Sequence, residues 1–476
     1  MVFANKEEVM RYVRDEKVEM ISITNVDLAG RWKHMTLPAS QLSEDLFKNG
    51  LGLSLASYPG YKSMEAGDGK AVPDPRTAHL DVFPKMKTLR MLCDLRENDG
   101  SQFARDPRFI ARKAERYLEK SGLGQSLWLP ELEFYIFNDV RFISEINRAL
   151  YVIDAEEAYW NSDREEKPNL GYKIGYMKGS QNMLPQDHLH NIRELMVKRI
   201  LDVGIPVRYH HHEGGSPGQV EIEMLFQPLL KTADSIMISK YIIKNTAFEH
   251  GKTATFMPKP FFGETGSGLH FHLYFTHGET SLFWDERGYA GLSDLALHFV
   301  AGVLEHSPAL MAFTNPTTNS YKRFAPGLAA PANLSYSVAN RSSAVRIPGY
   351  SMEPREQRIE YRIPDAASNP YLVLAAILMG GMDGIQKKMD PEKMGFGPFD
   401  LNLYELSGEA KGKIKQAPSS LEEALRALED DHEFLLSEDV FEKEFIRAWI
   451  ELKMKNDVYP LKQRPHPHEF TLYYDI

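Results

Sequence analysis

The sequence has one cysteine, Cys93, among 476 residues. A single thiol excludes an internal disulfide and a thiolate-rich metal site. Any bound metal must therefore be held by carboxylates and imidazoles, which favours hard divalent cations. The 66 acidic residues and 16 histidines provide groups of that kind.

The sequence also lacks an excess of basic residues and a long run of apolar residues. The formal net charge is -10, which argues against nucleic acid or an anionic membrane as a partner, because both attract basic surfaces. The longest apolar run, residues 371–382, is too short to span a bilayer and predicts a buried helix. The N-terminal residues contain no apolar segment typical of a signal peptide, so we expect a cytoplasmic protein.

The sequence contains no low-complexity stretch, and its hydrophobic fraction of 43% is typical of a folded protein. Residues 6–16 predict a helix, residues 20–26 a strand, and the glycines and prolines that follow indicate a small α+β unit. Asp106 and Pro107 are suited to the cap and first turn of another helix. We therefore expect an α+β protein with a small domain over residues 1–104 and a large one over residues 105–476.

Four short segments place functional side chains two residues apart, so that each pair shares one face of a strand. They are Glu131-Leu132-Glu133, Glu221-Ile222-Glu223, His270-Phe271-His272 and Glu360-Tyr361-Arg362. One such segment is typical of any half-exposed strand. Four together bring in carboxylates that repel each other unless cations lie between them. With His210-His211-His212-Glu213, they predict a barrel or curved sheet with divalent cations on its polar face.

A second set of residues is cationic and falls within a stretch of about 40 residues. It consists of Lys322, Arg323, Arg341, Arg346, Arg355, Arg358 and Arg362. A solvated surface would have the same composition. Next to the acidic strands, however, several arginines favour phosphoryl transfer, because guanidinium groups and divalent cations both bind phosphate oxygens. The glycine-rich residues 263–268 lack the lysine of a P-loop and precede a strand, so they are weak evidence for a nucleotide loop.

These segments and several longer motifs resemble the type I glutamine synthetase family. The motifs are Pro130-Glu131-Leu132-Glu133-Phe134, Gly218-Gln219-Val220-Glu221, Phe256-Met257-Pro258-Lys259-Pro260, Gly266-Ser267-Gly268-Leu269-His270 and Asn319-Ser320-Tyr321-Lys322-Arg323. The resemblance extends to Arg464-Pro465-His466-Pro467. It implies a β-grasp-like N-terminal domain and a catalytic domain with a curved antiparallel sheet or half-barrel. It also implies an ATP-dependent ligase that phosphorylates the γ-carboxylate of L-glutamate and couples it to a nitrogen nucleophile.

The resemblance assigns roles to individual residues. One Mg²⁺ or Mn²⁺ would be held by Glu133, Glu213 and Glu221, and a second by Glu131, His270 and Glu360. ATP would contact Phe226, His272, Arg341, Arg346 and Arg355, while glutamate would contact Gly266, Arg323 and Arg362. Arg341, Arg323 and Glu131 would take part in catalysis, with Arg341 stabilising the transferring group. Tyr404 resembles a tyrosine that some family members adenylylate.

Two positions depart from the family members that use ammonium. These members carry a flap glutamate where this sequence has Ala329, and an aspartate where it has Ser54. With Leu328 and Leu55 beside them, the predicted amine pocket becomes neutral and apolar. Such a pocket suits an amine that carries a hydrocarbon group. Family members act on alkylamines, polyamines, ethanolamine and anilines, and the neutral pocket favours a small alkyl or aromatic amine.

Three hypotheses follow for the function. The first is a glutamate–amine ligase that makes a γ-glutamyl amide from a substituted amine. The second is an authentic glutamine synthetase that binds ammonium with other residues, and the third is a non-catalytic nucleotide-binding regulatory protein. The resemblance also implies a homo-oligomer, a dodecamer of two hexameric rings with active sites between neighbouring subunits. Residues 468–474 would dock into the opposite ring.

Overall fold

The computed structural model describes residues 3–165, 168–324, 330–351, 353–406, 409 and 412–476. In these ranges the helices are α1 (Lys6–Asp15), α2 (Glu44–Asn49), α3 (Pro107–Lys120), α4 (His190–Asp202), α5 (Leu229–Glu249), α6 (Asp294–Thr314), α7 (Pro370–Lys387), α8 (Leu421–Asp430), α9 (Lys443–Lys453), α10 (Tyr459–Lys462) and α11 (Pro467–Tyr473). The strands are β1 (Met20–Val26), β2 (Trp32–Pro38), β3 (Leu51–Ser54), β4 (Asp68–Pro73), β5 (His79–Asp81), β6 (Thr88–Arg96), β7 (Gln125–Phe137), β8 (Asp139–Ser144), β9 (Ala149–Asp154), β10 (Val207–His212), β11 (Gln219–Met224), β12 (Gln227–Pro228), β13 (Thr253–Thr255), β14 (Leu269–His277), β15 (Thr280–Ser281), β16 (Asn333–Val338), β17 (Ser343–Ile347) and β18 (Ile359–Tyr361).

The first six strands form one sheet in the order β2-β1-β6-β4-β3, with β5 paired to β6. Strands β1 and β6 run parallel, and the other pairs are antiparallel. β1 lies inside the sheet, between β2 and β6, and is buried over nearly its whole length. β3 lies at one edge of the sheet and pairs only with β4.

A second, ten-stranded sheet contains all the acidic strand segments that the sequence predicts. Its order is β10-β11-β7-β14-β18-β17-β16, with β12 and β13 beside β7 and β15 beside β14. The long central strand β7 is buried along almost all of its 13 residues. Because β7 pairs with both β11 and β14, side chains from three strands meet on one face at its centre.

Two long apolar helices, α6 and α7, pack against each other in the core of the large sheet's domain. A Cβ at Gly302 would lie 2.3 Å from the carbonyl oxygen of Gly380, so only glycine allows this close approach. Within the described residues, α6 alone has the length and apolar composition of a membrane-crossing helix, and 72% of its most apolar window is buried. Both helices are therefore core elements of this fold.

Several sequence-based predictions are confirmed by these elements. The predicted helix at the N-terminus is α1, the predicted strand after it is β1, and the apolar run predicted as a buried helix is α7. Asp106 caps α3 by accepting a hydrogen bond from the backbone N–H of Arg108 at 3.1 Å. The C-terminal tail is helical in α11 and leaves Phe470 and Tyr474 exposed, so its docking into a second subunit stays a prediction.

Candidate active site

The register of β7 with its two neighbours brings the predicted acids side by side. On the β11 side, Glu133 lies opposite Glu221 and Glu131 lies opposite Glu223. On the β14 side, His270 lies opposite Glu131. Directly opposed residues have Cβ atoms about 4.5–5.5 Å apart. The i, i+2 pattern of each strand thus becomes a continuous patch of carboxylates and imidazoles.

One candidate cation group consists of Glu131, His270 and Glu360, whose ligand atoms all lie within 4.8 Å of one another. Glu131 is bonded on both oxygens, since His270 Nδ1 lies 2.9 Å from Oε2 and His272 Nε2 lies 2.9 Å from Oε1. Burial raises the pKa of Glu131, but the hydrogen bonds from His270 and His272 outweigh burial and hold it well below its usual range. This group matches the predicted ligands of one cation.

A second group consists of His211, Glu213 and Glu221, again within 4.8 Å. Glu133, which the family resemblance places among these ligands, lies opposite Glu221 and accepts a hydrogen bond of 2.8 Å from the backbone N–H of Gly268. A third combination joins Glu131, Glu221 and Glu223. The carboxylates therefore form one connected cluster rather than two separate sites.

Part of this cluster is paired with protein cations, since Arg346 and Arg362 donate to Glu360 and Arg208 donates to Glu223, but Glu221 is not. Glu221 is 5% exposed and accepts no hydrogen bond from the residues that the structure describes; His211 Nε2 lies 3.5 Å from its Oε1. Burial, with the charge of Glu131 as the next cause, raises the pKa of Glu221 well above its usual range. Buried carboxylates that repel each other fit a divalent cation, and the oxygen-rich donor set fits Mg²⁺ or Mn²⁺.

The arginines of the predicted glutamate and ATP sites border the same cluster. Arg346 Nε and Arg362 Nη1 donate to the two oxygens of Glu360, and Arg323 Nη1 donates to the carbonyl of Ile363 at 3.0 Å. The Nε atoms of Arg323 and Arg362 are buried and have no hydrogen-bond partner within the described part of the chain. Guanidinium donors without a partner suit the carboxylates of a small acidic ligand.

The glycine-rich loop before β14 is shaped by close packing on these side chains. A Cβ at Gly266 would lie 2.6 Å from Arg323 Cγ, and a Cβ at Gly268 would lie 2.5 Å from His270 Nε2. Any larger residue would displace the arginine or the imidazole. The loop therefore serves to bring backbone close to the site, which explains glycines that the sequence could not assign to a phosphate loop.

An aromatic and cationic stack lies beside the cluster. His272 Nδ1 lies 3.3 Å from Arg358 Nε. The Arg358 guanidinium in turn covers the rings of Phe226 and Tyr350, each with a centroid 5.6 Å away. Planar guanidinium and aromatic groups of this kind can stack on a purine base.

Other predicted residues lie farther from these contacts. Arg341 is exposed in the turn before β17, without an ion pair among the described residues. Arg355 is exposed and pairs with Glu279 at 2.8 Å. Tyr404 is 42% exposed; burial raises its pKa, while the charges of Arg362 and Arg323 lower it, so its hydroxyl lies within the field of the two site arginines.

The predicted amine pocket is only partly described. Ser54 is exposed at the end of β3, whereas Leu55 is fully buried under Gly69 and has no surface for a ligand. Leu328 and Ala329 lie outside the described residues. Across the strand pair, Asp68 lies directly opposite Ser54. An acid is therefore present next to the position where the sequence had suggested none.

Four residues that these contacts single out had no individual role in the sequence analysis. Glu223 and His211 belonged to the segments predicted to face the cations, but the family resemblance did not name them as ligands. Arg358 belonged to the cationic set but was not distinguished within it. Asp68 had no signal in the sequence, because only the pairing of β3 with β4 places it beside Ser54.

Comparison with known proteins agrees with this architecture. Residues 17–98 match the family described as glutamine synthetase, beta-Grasp domain, and residues 104–473 match glutamine synthetase, catalytic domain. The chain is 45% identical over 471 residues to the glutamine synthetase of Microchaete diplosiphon, covering 98% of this chain and 99% of that protein.

Two solved structures are similar over the whole chain. The Plasmodium falciparum glutamine synthetase has a TM-score of 0.89 at 26% identity, with 100% of this chain and 99% of that one covered. A GmaS/ADP complex has a TM-score of 0.80 at 27% identity, with 98% and 99% covered. The chain, with its β-grasp domain and half-barrel sheet, therefore belongs to the glutamine synthetase family of ATP-dependent ligases.

Proposed function

We propose that this ligase couples the γ-carboxylate of L-glutamate to a substituted amine, alkyl or aromatic, and forms a γ-glutamyl amide. The observation that carries the proposal is a contrast between two halves of the site. The half that transfers phosphate keeps its full set of carboxylates, imidazoles and arginines. The half that would bind ammonium lacks acids at Ser54 and Ala329.

The phosphate-transferring half would work as follows. Glu131, His270 and Glu360 would hold one Mg²⁺ or Mn²⁺ ion, and Glu133, Glu213 and Glu221 a second, with His211 beside them. Bound divalent cations neutralise the charge that collects on the phosphate oxygens during transfer. The protein's part is to fix five of these side chains on paired strands, with Glu213 directly after β10, so that little reorganisation is needed.

Glutamate would be bound by the guanidinium groups of Arg323 and Arg362, whose Nε atoms have no partner within the described residues. The buried Nε atoms of Arg323 and Arg362 offer charge-assisted hydrogen bonds to carboxylate oxygens. The γ-carboxylate oxygen would then attack the γ-phosphorus of ATP as the bond to the ADP oxygen breaks. This step gives γ-glutamyl phosphate and ADP. Arg346 would face the charge of the γ-phosphate, and Arg341 and Arg355 are further predicted contacts of ATP.

The nucleotide itself would lie against the stack of Arg358, Phe226 and Tyr350. Stacking of a base on aromatic and guanidinium planes contributes about 1–3 kcal/mol per base. His272 links this stack to Glu131 through its two ring nitrogens. It would therefore hold the base-binding and cation-binding parts of the site in a fixed relation.

In the second step the neutral amine nitrogen would attack the carbonyl carbon of γ-glutamyl phosphate, the C–O bond to phosphate would break, and the N–H proton lost from the nitrogen would leave with the phosphate as hydrogen phosphate. At the position where the family resemblance implies a flap glutamate, the sequence has Ala329, preceded by Leu328. Burial of a hydrocarbon substituent contributes about 25 cal/mol per Å². Ammonium has no such group and would gain nothing from such burial.

Ammonium is the second candidate substrate. It is favoured by the curated relatives, which are called glutamine synthetase at 43–45% identity over the full length. A dodecamer, a cytoplasmic location and adenylylation of Tyr404 stay predictions. A non-catalytic role fits poorly with a complete set of cation-binding carboxylates.

A screen of amines tests the choice between the two substrates. Purified protein is assayed with ATP, Mg²⁺, glutamate and a panel of amines, measuring phosphate release and the mass of the amide. We expect an alkyl or aromatic amine to give the highest kcat/KM, and A329E to shift the preference toward ammonium. If ammonium is best by a wide margin in the wild type, the chain is a glutamine synthetase and the proposal is wrong.

A further inference from the structure

The end of the β3–β4 strand pair carries a carboxylate that the sequence does not reveal. Ser54 and Asp68 are directly opposed in antiparallel register, which places their Cβ atoms about 4.5–5.5 Å apart. The backbone N–H groups of Leu55 and Ala56 both donate to the carbonyl of Gly67, at 2.7 and 3.3 Å. These bonds continue the pairing past the strand ends and hold the two residues together.

The Asp68 carboxylate is exposed and has no hydrogen bond or ion pair within the described residues. Two lysines lie nearby, but both are bound elsewhere. Lys62 Nζ donates to the backbone carbonyl of Asp68 at 3.0 Å and also pairs with Glu97. Lys70 Nζ donates to the carbonyl of Asn98 at 2.8 Å. The Asp68 carboxylate is therefore open to solvent and to an incoming cation.

An amine substrate enters the site mostly in its charged form, because alkylammonium groups, like the side chain of lysine, have pKa values of about 10. A pocket with no acid would have to remove that charge from water without compensation, at a large cost in free energy. Some carboxylate must therefore face the nitrogen. The position that supplies it in ammonium-using relatives is Ser54 here.

We propose that Asp68 replaces the missing acid and determines the preference for positively charged amines. This inference rests on the proposed function and on the family resemblance, which implies active sites between neighbouring subunits and places Ser54 in the amine pocket. Asp68 would accept hydrogen bonds from the ammonium group from across the strand pair. The substrate class is thus a primary amine that carries a positive charge.

The test compares D68N with E65Q in the intact oligomer. Glu65 is an exposed acid three residues away, so E65Q removes the same charge without being opposite Ser54. We expect D68N to raise the KM of the best alkylamine about tenfold or more, as for loss of a charge-assisted hydrogen bond. E65Q should change this KM by less than about twofold. KM values for ATP and glutamate report on folding and should stay unchanged in both variants.

Two further measurements exclude a merely structural role. Hydroxylamine is largely uncharged at pH 8, so its KM should be the same in D68N and the wild type. Moving the acid across the strands, in S54D/D68N, should restore a low KM for the charged amine. An unchanged amine KM in D68N overturns the inference while leaving the proposed function intact. A wild type that turns over with ammonium alone, or with no amine, overturns the proposed function and this inference with it.

Discussion

His306 joins three helical segments through its two ring nitrogens. Nδ1 lies 2.7 Å from Asp431 Oδ2, just after α8, and Nε2 lies 2.9 Å from Asp383 Oδ2 on α7. The ring stacks on Phe434 with a centroid distance of 3.9 Å. An imidazolium donates to both carboxylates at once, whereas the neutral ring donates to only one. The stability of this junction should therefore depend on pH.

The size of the effect follows from the pKa. Burial lowers the pKa of His306, but hydrogen bonds to Asp383 and Asp431 outweigh burial and raise it from 6.5 to about 8. This difference corresponds to about 2 kcal/mol. Because the folded-state pKa is the higher one, the stabilisation is fully present below pH 6.5 and is lost as pH rises through about 8. Lys387 Nζ lies 2.9 Å from Asp383 and supplies a cation whichever form His306 takes.

Urea unfolding of H306Q and the wild type, at one protein concentration and at about pH 6 and pH 9, measures this contribution. We expect H306Q to destabilise the protein by about 2 kcal/mol more at the lower pH. H298Q is the matched control, since His298 is also on α6 but its Nδ1 contacts the carbonyl of Met389 at 2.6 Å. It removes an α6 histidine that has no carboxylate partner within the described residues, so the comparison separates loss of a histidine from loss of the two carboxylate contacts. Equal destabilisation by H306Q at both pH values would refute the doubly bonded imidazolium.

Two further predictions concern the active site. Glu221→Gln should raise the melting temperature in the presence of a chelator, because it removes a buried carboxyl group. Burial and the charge of Glu131 raise the pKa of that group. With Mg²⁺ the substitution should lower ligase activity about 100-fold; a lower melting temperature with chelator would contradict the unfavourable burial of Glu221. Arg323→Lys should raise the KM of glutamate about tenfold with an unchanged KM for ATP, since an ammonium cannot replace the buried Nε donor. Steady-state kinetics check this, and an equal rise in both KM values would argue against a glutamate-specific role.

Local patterns in the sequence were enough to predict many of the elements of the fold. The helix caps at Asp106 and Pro107 depend on neighbouring residues alone, and so does the i, i+2 spacing of Glu131 and Glu133. The buried helix α7 follows from its continuous apolar run. These features need no information about the partner element, because backbone geometry decides which residues share a face.

The assembly of the site could not be read from such patterns. Glu131 and His270 are hydrogen-bonded although they are 139 residues apart, and Glu360 is bonded to both Arg346 and Arg362 through its two oxygens. The family resemblance named most of these residues but not their contacts. Strand register decides the contacts, and register depends on the packing of whole strands.

The residues around Ser54 show most clearly what the sequence determines and what the tertiary structure decides. Composition and motifs predicted an oxygen- and nitrogen-based cation site and a phosphoryl-transfer chemistry, and the family resemblance implied the loss of an acid at position 54. They also suggested a pocket without charge, with Leu55 in its wall. Tertiary structure buries Leu55 and brings Asp68 opposite Ser54, because antiparallel pairing joins residues that are separated along the chain by a loop of other residues.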